Sequence, residues 1–381
     1  MVERKEYLER IRKALERSPI VMLMGPRQCG KSTLARQLVD VDSPNYFDLE
    51  DHAVETFLAN PTIALKDLTG LVVLDEAQRM PSLFPALRVL ADRSGTDTRF
   101  LLLGSASPEL SRQASQSLAG RVEFIEIRGF GMNEVDGTDI DALWLRGGFP
   151  RSYLAKTDED SLVWRDAFIA TFLERDLANL GFGSSPQAMR RFWTMLSHYH
   201  GQLWNASEVA RSLGVSAPTA SRYLDALEQT FMVRRLQPWH LNTGKRLVKS
   251  PKVYIRDSGL LHALQGIGSQ KDLWLHPKLG ASWEGFALEE VLSAFRPREA
   301  WFYAVHSGSE LDLFFQSGGE RIGVEFKRAD APQITKGMHV AMEDLELDQL
   351  LLVYPGERMA RLAEKIQAVP LRQIRHFVAS R

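Results

Sequence analysis

The segment that most constrains this chain is Gly25-Pro26-Arg27-Gln28-Cys29-Gly30-Lys31-Ser32. Two glycines flank four residues, and a lysine and a hydroxyl follow, which is the phosphate-loop pattern. The apolar run Ile20-Val21-Met22-Leu23-Met24 precedes it, and Ser32-Thr33-Leu34-Ala35-Arg36-Gln37-Leu38 reads as the helix behind it. Phosphate oxygens need several convergent donors. Glycines let backbone N–H groups turn inward as a nest, and the next helix adds its N-terminal field. Lys31 is then placed to reach the β and γ phosphates, with the Ser32 hydroxyl as a ligand for Mg2+. A strand, a turn and a helix in that order commit the N-terminal region to a parallel α/β sheet.

Short bare apolar strands recur at Leu71-Val72-Val73-Leu74 and Phe100-Leu101-Leu102-Leu103, with a weaker one at Asn45-Tyr46-Phe47-Asp48-Leu49. A charged amphipathic helix over 3–17 carries Tyr7, Leu8, Ile11 and Leu15 at helical spacing. The second strand ends in Asp75-Glu76, where Asp75 is suited to the Mg2+ shell and Glu76 to polarising an attacking water. The plainer reading is that the two acids cap the next helix. Ser105, after the third strand, is a candidate for sensing the γ phosphate or orienting water, or else a cap on the helix after Pro108. Arg121 fits an arginine finger reaching a neighbouring subunit of a homo-oligomer, and fits equally a surface arginine. Cys29 lies by a helix N-terminus that lowers thiol pKa values. Phosphate loops accept many residue types there, so it is given no catalytic role.

Composition excludes several classes. With 44% hydrophobic and 25% charged residues the chain is neither disordered nor fibrous. A single cysteine cannot form an internal disulfide, which fits a reducing compartment. No run of 18 apolar residues occurs, and the start is too charged for a signal peptide, so a cytoplasmic protein with no membrane partner is expected. The net charge of -1 rules out bulk steering toward nucleic acid. Residues 245–256, however, hold five basic side chains and no acid, which is a local footprint.

The pattern changes near residue 140 and again near 270, giving three expected domains over 1–140, 141–270 and 271–381. Residues 205–228 have a helix-turn-helix rhythm, with Ala206-Ser207-Glu208 capping, Gly214 turning and Ser216 capping again. Val209, Ala210 and Leu213 face inward, as do Ala220, Tyr223, Leu224 and Leu227. Thr219, Ser221, Arg222 and Asp225 point outward. Residues 231–236 and 252–255 read as the strands of a wing, with Lys245, Arg246 and Lys249 at its tip. Such a module suits a DNA major groove, and serves equally as a spacer or a protein-docking unit. Trp144, Phe149, Trp164, Phe168, Phe172, Phe192 and Trp193 read as core, with a base-stacking platform as the alternative.

A second acidic centre follows. Leu311, Leu313 and Phe315 define one strand face with Asp312 on the other, and thirteen positions on, Glu325 and Lys327 share a face opposite Val324 and Phe326. Two carboxylates on a divalent ion with a lysine alongside suit phosphodiester hydrolysis. Asp312 and Glu325 are the expected metal ligands, Lys327 the group orienting water, and Glu284 the acid from the preceding helix, with Glu289 and Glu290 behind it. The same charges would also serve as edge-strand guards. A helix is expected over 281–295, strands near 301–305, 311–316, 322–327 and 350–354, and helices over 335–345 and 357–367.

Taken together, these residues resemble bacterial and archaeal AAA+-type ATPases with a C-terminal region of long-unassigned function. The likeness runs through Gly25 to Thr33, Tyr46-Phe47-Asp48-Leu49-Glu50, Leu74-Asp75-Glu76-Ala77-Gln78, Gly104-Ser105-Ala106, Ser117-Leu118-Ala119-Gly120-Arg121 and Gly147-Gly148-Phe149-Pro150. It continues in Tyr254-Ile255-Arg256-Asp257-Ser258-Gly259-Leu260 and Glu325-Phe326-Lys327. It implies ATP and Mg2+ at Lys31, Ser32, Asp75 and Glu76, with Ser105 at the sensor position and Arg121 at a basic one. The order of the acidic centre is similar to the restriction-endonuclease-like fold. The expected fold class is therefore α/β: a P-loop parallel sheet, a helical and winged-helix middle, and a restriction-endonuclease-like C-terminal domain. The expected function is ATP hydrolysis coupled to DNA binding or processing, with or without Mg2+-dependent cutting. The alternative is a nucleotide-switched module, binding DNA or protein, whose nuclease-like domain is inert.

Overall fold

The computed structural model describes residues 2–381 apart from 106–113, 136–138, 180–181, 240–247 and 306–307. The chain forms two compact units, Met1–Gly129 with Gln229–Phe231, and Phe130–Glu228 with Met232–Arg381.

In the first unit, β1 (Ile20–Gly25), β2 (Tyr46–Asp48), β3 (Leu71–Asp75), β4 (Arg99–Ser105) and β5 (Val122–Glu126) form one sheet in the order β2-β3-β4-β1-β5. Every pairing is parallel. Alternation within the strands explains why they look uniformly apolar. Ile20, Met22, Phe100 and Leu102 enter one core, while Val21, Leu23, Leu101 and Leu103 enter the other. Both faces are thus covered, and polar side chains are driven to the strand ends.

In the second unit, helices precede a mixed sheet. The helices Ala206–Leu213 and Ala217–Gln229 are joined through Gly214 in the left-handed region. The first helix is capped by Asn205, whose side chain accepts from the Ser207 and Glu208 N–H groups, rather than by Ala206-Ser207-Glu208. Asn205 is the better cap because its carbonyl oxygen reaches two orphan donors. Strands β6 (Gln202–Leu203), β7 (Val233–Pro238) and β8 (Lys252–Ile255) follow the order β7-β8-β6. Lys249 is exposed, and the expected tip residues Lys245 and Arg246 lie outside the described residues. Asp225 does not stand free, because it pairs with Arg235 at 2.8 Å.

The long helix Leu279–Phe295 leads into β9 (Ala300–Ala304), β10 (Glu310–Ser317), β11 (Glu320–Phe326), the helix Lys336–Asp344 and β12 (Gln349–Tyr354). With β13 (Ala360–Ala363) and β14 (Ile366–Pro370) added, the nine-stranded order is β13-β14-β12-β11-β10-β9-β7-β8-β6. The expected helix over 357–367 is instead β13 (Ala360–Ala363) and β14 (Ile366–Pro370). β14 lies parallel to β12, with Leu350 opposite Ile366 and Val353 opposite Val369. A buried ladder partner here outweighs the helical propensity of a charged segment.

The face assignment on β10 also needs correction. Leu311 pairs with Tyr303 but Phe314 with Trp301, so β10 carries one extra residue between them. This bulge resets the period-two alternation. Leu311 and Phe314 share one apolar cluster, and Phe315 packs against Phe295. The aromatic series is core rather than a stacking platform: Trp144, Phe149, Phe168, Phe172, Phe192 and Trp193 are all buried.

Glycine is required at Gly147. Its φ is 76°, and a Cβ there would stand 2.2 Å from Asp257 Oδ1. The same carboxylate accepts from the Gly148 N–H at 2.8 Å and the Leu260 N–H at 2.9 Å. Gly147→Ala should therefore cost more than about 2 kcal/mol, from left-handed strain plus a broken buried carboxylate knot. Denaturant melts of the full chain measure this.

Candidate functional site

The phosphate loop leaves β1 at Gly25, where a Cβ would stand 2.0 Å from the Ile127 carbonyl oxygen. Gln28 and Gly30 take positive φ values of 59° and 96°, and the helix Lys31–Ala35 begins at once. These two left-handed residues curl the loop back on itself. Lys31 is buried, and its Nζ donates to the Gly25 and Pro26 carbonyls at 3.0 and 2.8 Å. A phosphate oxygen carries a full negative charge where a carbonyl carries only a partial one, so it is the stronger acceptor for an ammonium group. Ser32 is half-buried and Thr33 exposed. Arg27 and Arg79 both approach Glu50 Oε1, at 3.7 and 3.6 Å. Cys29 is a core residue, packed with Leu23 and Leu34.

Sheet order brings the other groups to this loop. β4 lies between β1 and β3, and Ser105 stands in register with Gly25. Ser105's side chain and residues 106–113 lie outside the described residues. At the end of β3, Asp75 is buried, with Oδ2 accepting from the Tyr46 hydroxyl at 2.8 Å and Oδ1 from the Glu76 N–H at 3.0 Å. The fixed carboxylate of Asp75 and the hydroxyl of Ser32 are hard oxygen donors of the kind Mg2+ takes. Glu76 has a φ of 55°, left-handed for a residue with a Cβ. Its carboxylate accepts from Gln78 Nε2. Burial raises the Glu76 pKa, opposed by the Gln78 hydrogen bond and the positive charge of Lys31. Lys31, Asp75 and Glu76 therefore share one electrostatic environment. Arg121 pairs with Asp92, Nε to Oδ1 at 2.6 Å and Nη2 to Oδ2 at 2.8 Å, so within one chain it acts as a surface ion pair.

In the second unit, residues from four elements meet. Asp312 and Glu325 are each 8% exposed. Asp312 Oδ2 accepts from the Phe326 N–H at 3.0 Å, which ties the β10 bulge to β11. Lys327 Nζ lies 2.6 Å from Glu325 Oε1, while Glu325 Oε2 is buried without a hydrogen-bond partner. Glu284 Oε1 accepts from the Tyr254 hydroxyl at 2.7 Å. Burial raises the pKa of Glu284 to about 7 and that of Glu325 to about 7, and in both the charge of Asp312 pushes the same way. Glu289 is taken up by Arg234 at 2.5 Å and Arg256 at 3.3 Å, and Glu290 accepts from the Met132 N–H at 3.2 Å. Of the three helix acids only Glu284 joins the centre.

Lys252, on β8, completes it. Its Nζ is 3.4 Å from Asp312 Oδ1 and 3.7 Å from Glu284 Oε1, and it also pairs with Glu310. Among the described residues no three acidic, histidine or cysteine side chains are arranged to hold a metal ion. The donor set as folded therefore does not fit the divalent ion expected from Asp312 and Glu325.

Comparison with known proteins bears on both units. Residues 17–135 match the AAA domain, residues 137–271 the domain of unknown function DUF8612, and residues 279–374 the domain of unknown function DUF4143. Uncharacterized proteins of Mycobacterium tuberculosis and Mycobacterium bovis are each 51% identical over 375 residues, 98% of this chain and 85% of theirs. The chain belongs to their family. An uncharacterized Haemophilus influenzae protein is 24% identical over 292 residues, covering 68% of this chain and 72% of its own. Among solved structures, a Walker-type ATPase of Pyrococcus abyssi is similar at 17% identity and a TM-score of 0.49, over 70% of this chain and 96% of its own. In this family member the AAA domain makes the first unit a P-loop ATPase domain. The C-terminal domain of the family has no assigned function. No helix among the described residues is long and apolar enough to cross a membrane.

Three further residues of these two centres are shown by the structure and were not singled out in the sequence. Arg4 is 3% exposed, and its guanidinium donates to the carbonyls of Cys29 at 3.1 Å, Arg128 at 2.9 Å and Gly129 at 3.3 Å, bracing the phosphate loop from behind. Tyr46 was visible only as part of a motif, and Lys252 only as one charge in a basic stretch. A charged residue in an otherwise apolar strand, as at Lys252 before Val253, was the available signal.

Two outcomes are expected. Tyr46→Phe removes the hydroxyl that fixes Asp75 and should lower stability by about 1–2 kcal/mol, measurable in urea melts. Glu284 and Glu325 retain protons in the folded chain to about pH 7, where unfolded carboxyls have already ionised. The folded state binds more protons in that window, so stability is greatest on its acid side and falls as pH rises through about 7. A Glu284→Gln, Glu325→Gln double variant should flatten the slope of melting temperature against pH between 5 and 8.

Proposed function

We propose that this protein hydrolyses ATP at the first unit and couples its nucleotide state to duplex DNA held by the second. The observation that carries the reading is the meeting of a buried phosphate-loop lysine, Lys31, with Asp75 and Glu76 at one sheet edge. Lys31 and the loop N–H groups bind the β and γ phosphates, Ser32 and Asp75 hold Mg2+, and Glu76 orients the attacking water. Bound Mg2+ supplies neutralisation of the phosphate charge. Burial raises the proton affinity of Glu76, the direction a base needs, while its hydrogen bond from Gln78 fixes the carboxylate.

DNA is the proposed partner because the second helix of the helix-turn-helix exposes Arg222, the first exposes Arg211, and Lys249 is exposed ahead of β8. These three suit phosphate contacts, and one arginine on the second helix suits weak sequence preference. The helix with Glu284, strand with Asp312, strand with Glu325 and Lys327, and following helix keep the restriction-endonuclease-like order. The cation between Glu284 and Asp312 is Lys252 rather than a metal ligand set, which favours an inert nuclease-like domain within a nucleotide switch over a cutting enzyme.

Lys31→Ala should abolish ATP hydrolysis while leaving the far-ultraviolet circular dichroism unchanged, and should remove any ATP-induced change in duplex affinity. Phosphate release and fluorescence anisotropy on a labelled duplex measure the two. Full hydrolysis by clean Lys31→Ala protein would overturn the reading.

A further inference from the structure

Charged side chains from three elements of the first unit meet beside the phosphate loop. Arg27 belongs to the loop itself. Glu50 follows β2, where the Leu49 N–H donates to the Asp75 carbonyl at 3.1 Å and fastens this stretch to the end of β3. Arg79 closes the short helical turn Ala77–Arg79, and its N–H donates to the Glu76 carbonyl at 3.0 Å. The guanidinium groups of Arg27 and Arg79 stand 3.7 and 3.6 Å from the same atom, Glu50 Oε1.

Two features set this trio apart from an ordinary surface ion pair. Both separations exceed hydrogen-bonding distance, whereas Arg121 and Asp92 close at 2.6 and 2.8 Å. Two like charges also share one oxygen, so they repel each other, and neither makes with Glu50 the two-pronged match a carboxylate allows. Glu50 and Arg79 are exposed and Arg27 is half-buried, and pairs so loose add little to stability. The trio is also close to the chemistry. The positive charges of Lys31 and Arg27 both act on the Glu76 carboxylate, so the Arg27 guanidinium lies among the groups that serve the phosphates.

We infer that Glu50 stands in for the terminal phosphate of a nucleoside triphosphate, holding Arg27 and Arg79 until that phosphate arrives. A phosphate end group presents three oxygens and about two negative charges, where a carboxylate has two oxygens and one charge. The planar fork of arginine matches phosphate geometry, so both guanidinium groups gain by leaving Glu50 for the γ phosphate. A diphosphate ends one group short and leaves them where they are. The trio thereby makes the site distinguish triphosphate from diphosphate, a task that Lys31 and the loop N–H groups, which also serve the β phosphate, do not perform alone. This rests on the first unit being a nucleotide site, and the outcomes below separate the failure of one from the failure of the other.

The experiment is isothermal calorimetry of the full chain with Mg2+, titrating ADP and the non-hydrolysable β,γ-imido analogue of ATP and taking the ratio of their affinities. Arg27→Gln should shift the ratio toward ADP by about tenfold or more, the worth of a charged hydrogen bond. Glu50→Gln removes the competing anion and should shift the ratio toward the triphosphate by about threefold, the scale of a loose exposed pair. With Arg27 and Arg79 both replaced by glutamine, adding Glu50→Gln should leave the ratio unmoved, because Glu50 acts through the two arginines. If Arg27→Gln does not fold, Arg27→Lys should still shift the ratio toward ADP, since an ammonium group lacks the fork. An unmoved ratio in the folded Arg27 variants, a shift toward ADP in Glu50→Gln, or an undiminished Glu50→Gln effect without the arginines would each overturn the inference and leave the nucleotide site standing. Wild-type protein that binds neither nucleotide would overturn both.

Discussion

Three parallel strands, β3, β4 and β1, lie side by side with apolar cores on both faces, and the rest of the first unit follows from that constraint. A strand buried on both faces has nowhere to place a polar side chain except its end. Asp75, Ser105 and the Gly25 loop therefore finish at the same edge, because their strands are adjacent and parallel. The phosphate chemistry is a by-product of how the sheet hides its backbone. Arg4 and Tyr46 are the supports for that edge, one gripping loop carbonyls and the other a carboxylate.

Parts of this were legible in the sequence because the signals are local. The turn at Gly25 to Gly30 needs glycine for close approach and for positive φ, and such needs are written in consecutive residues. The strand pattern is equally local, since an apolar run between a proline and a glycine has few alternatives. The segment after Tyr354 was illegible for the opposite reason. Residues 366–370 are a strand because a buried neighbour, β12, offers backbone partners, and residues 360–363 pair in turn with 366–370. Glu357, Arg361 and Lys365 carry no trace of that neighbour.

The acidic centre divides along the same line. Asp312, Glu325 and Lys327 stood out because charges in apolar strands are expensive to bury. Only the faces of β10 were misjudged, since the extra residue of the bulge depends on how β10 meets β9 and leaves no mark on β10 alone. Lys252 lies sixty positions from Asp312 on a segment read as part of a wing. Only the sheet, continuing from β9 through β7 to β8, carries that lysine to the carboxylates.

The junction at β7 and β9 has a mechanical meaning. Gln237 pairs with Trp301 and Pro238 with Phe302, the Trp239 N–H reaches the Phe302 carbonyl at 2.7 Å, and the Trp239 ring packs on Trp301 and Phe314. A flexible linker at this point would let the helix-turn-helix swing without consequence. A hydrogen-bonded ladder instead gives it torsional stiffness, so a twist applied to the helices travels through β9 into β10, the strand on which Asp312 stands.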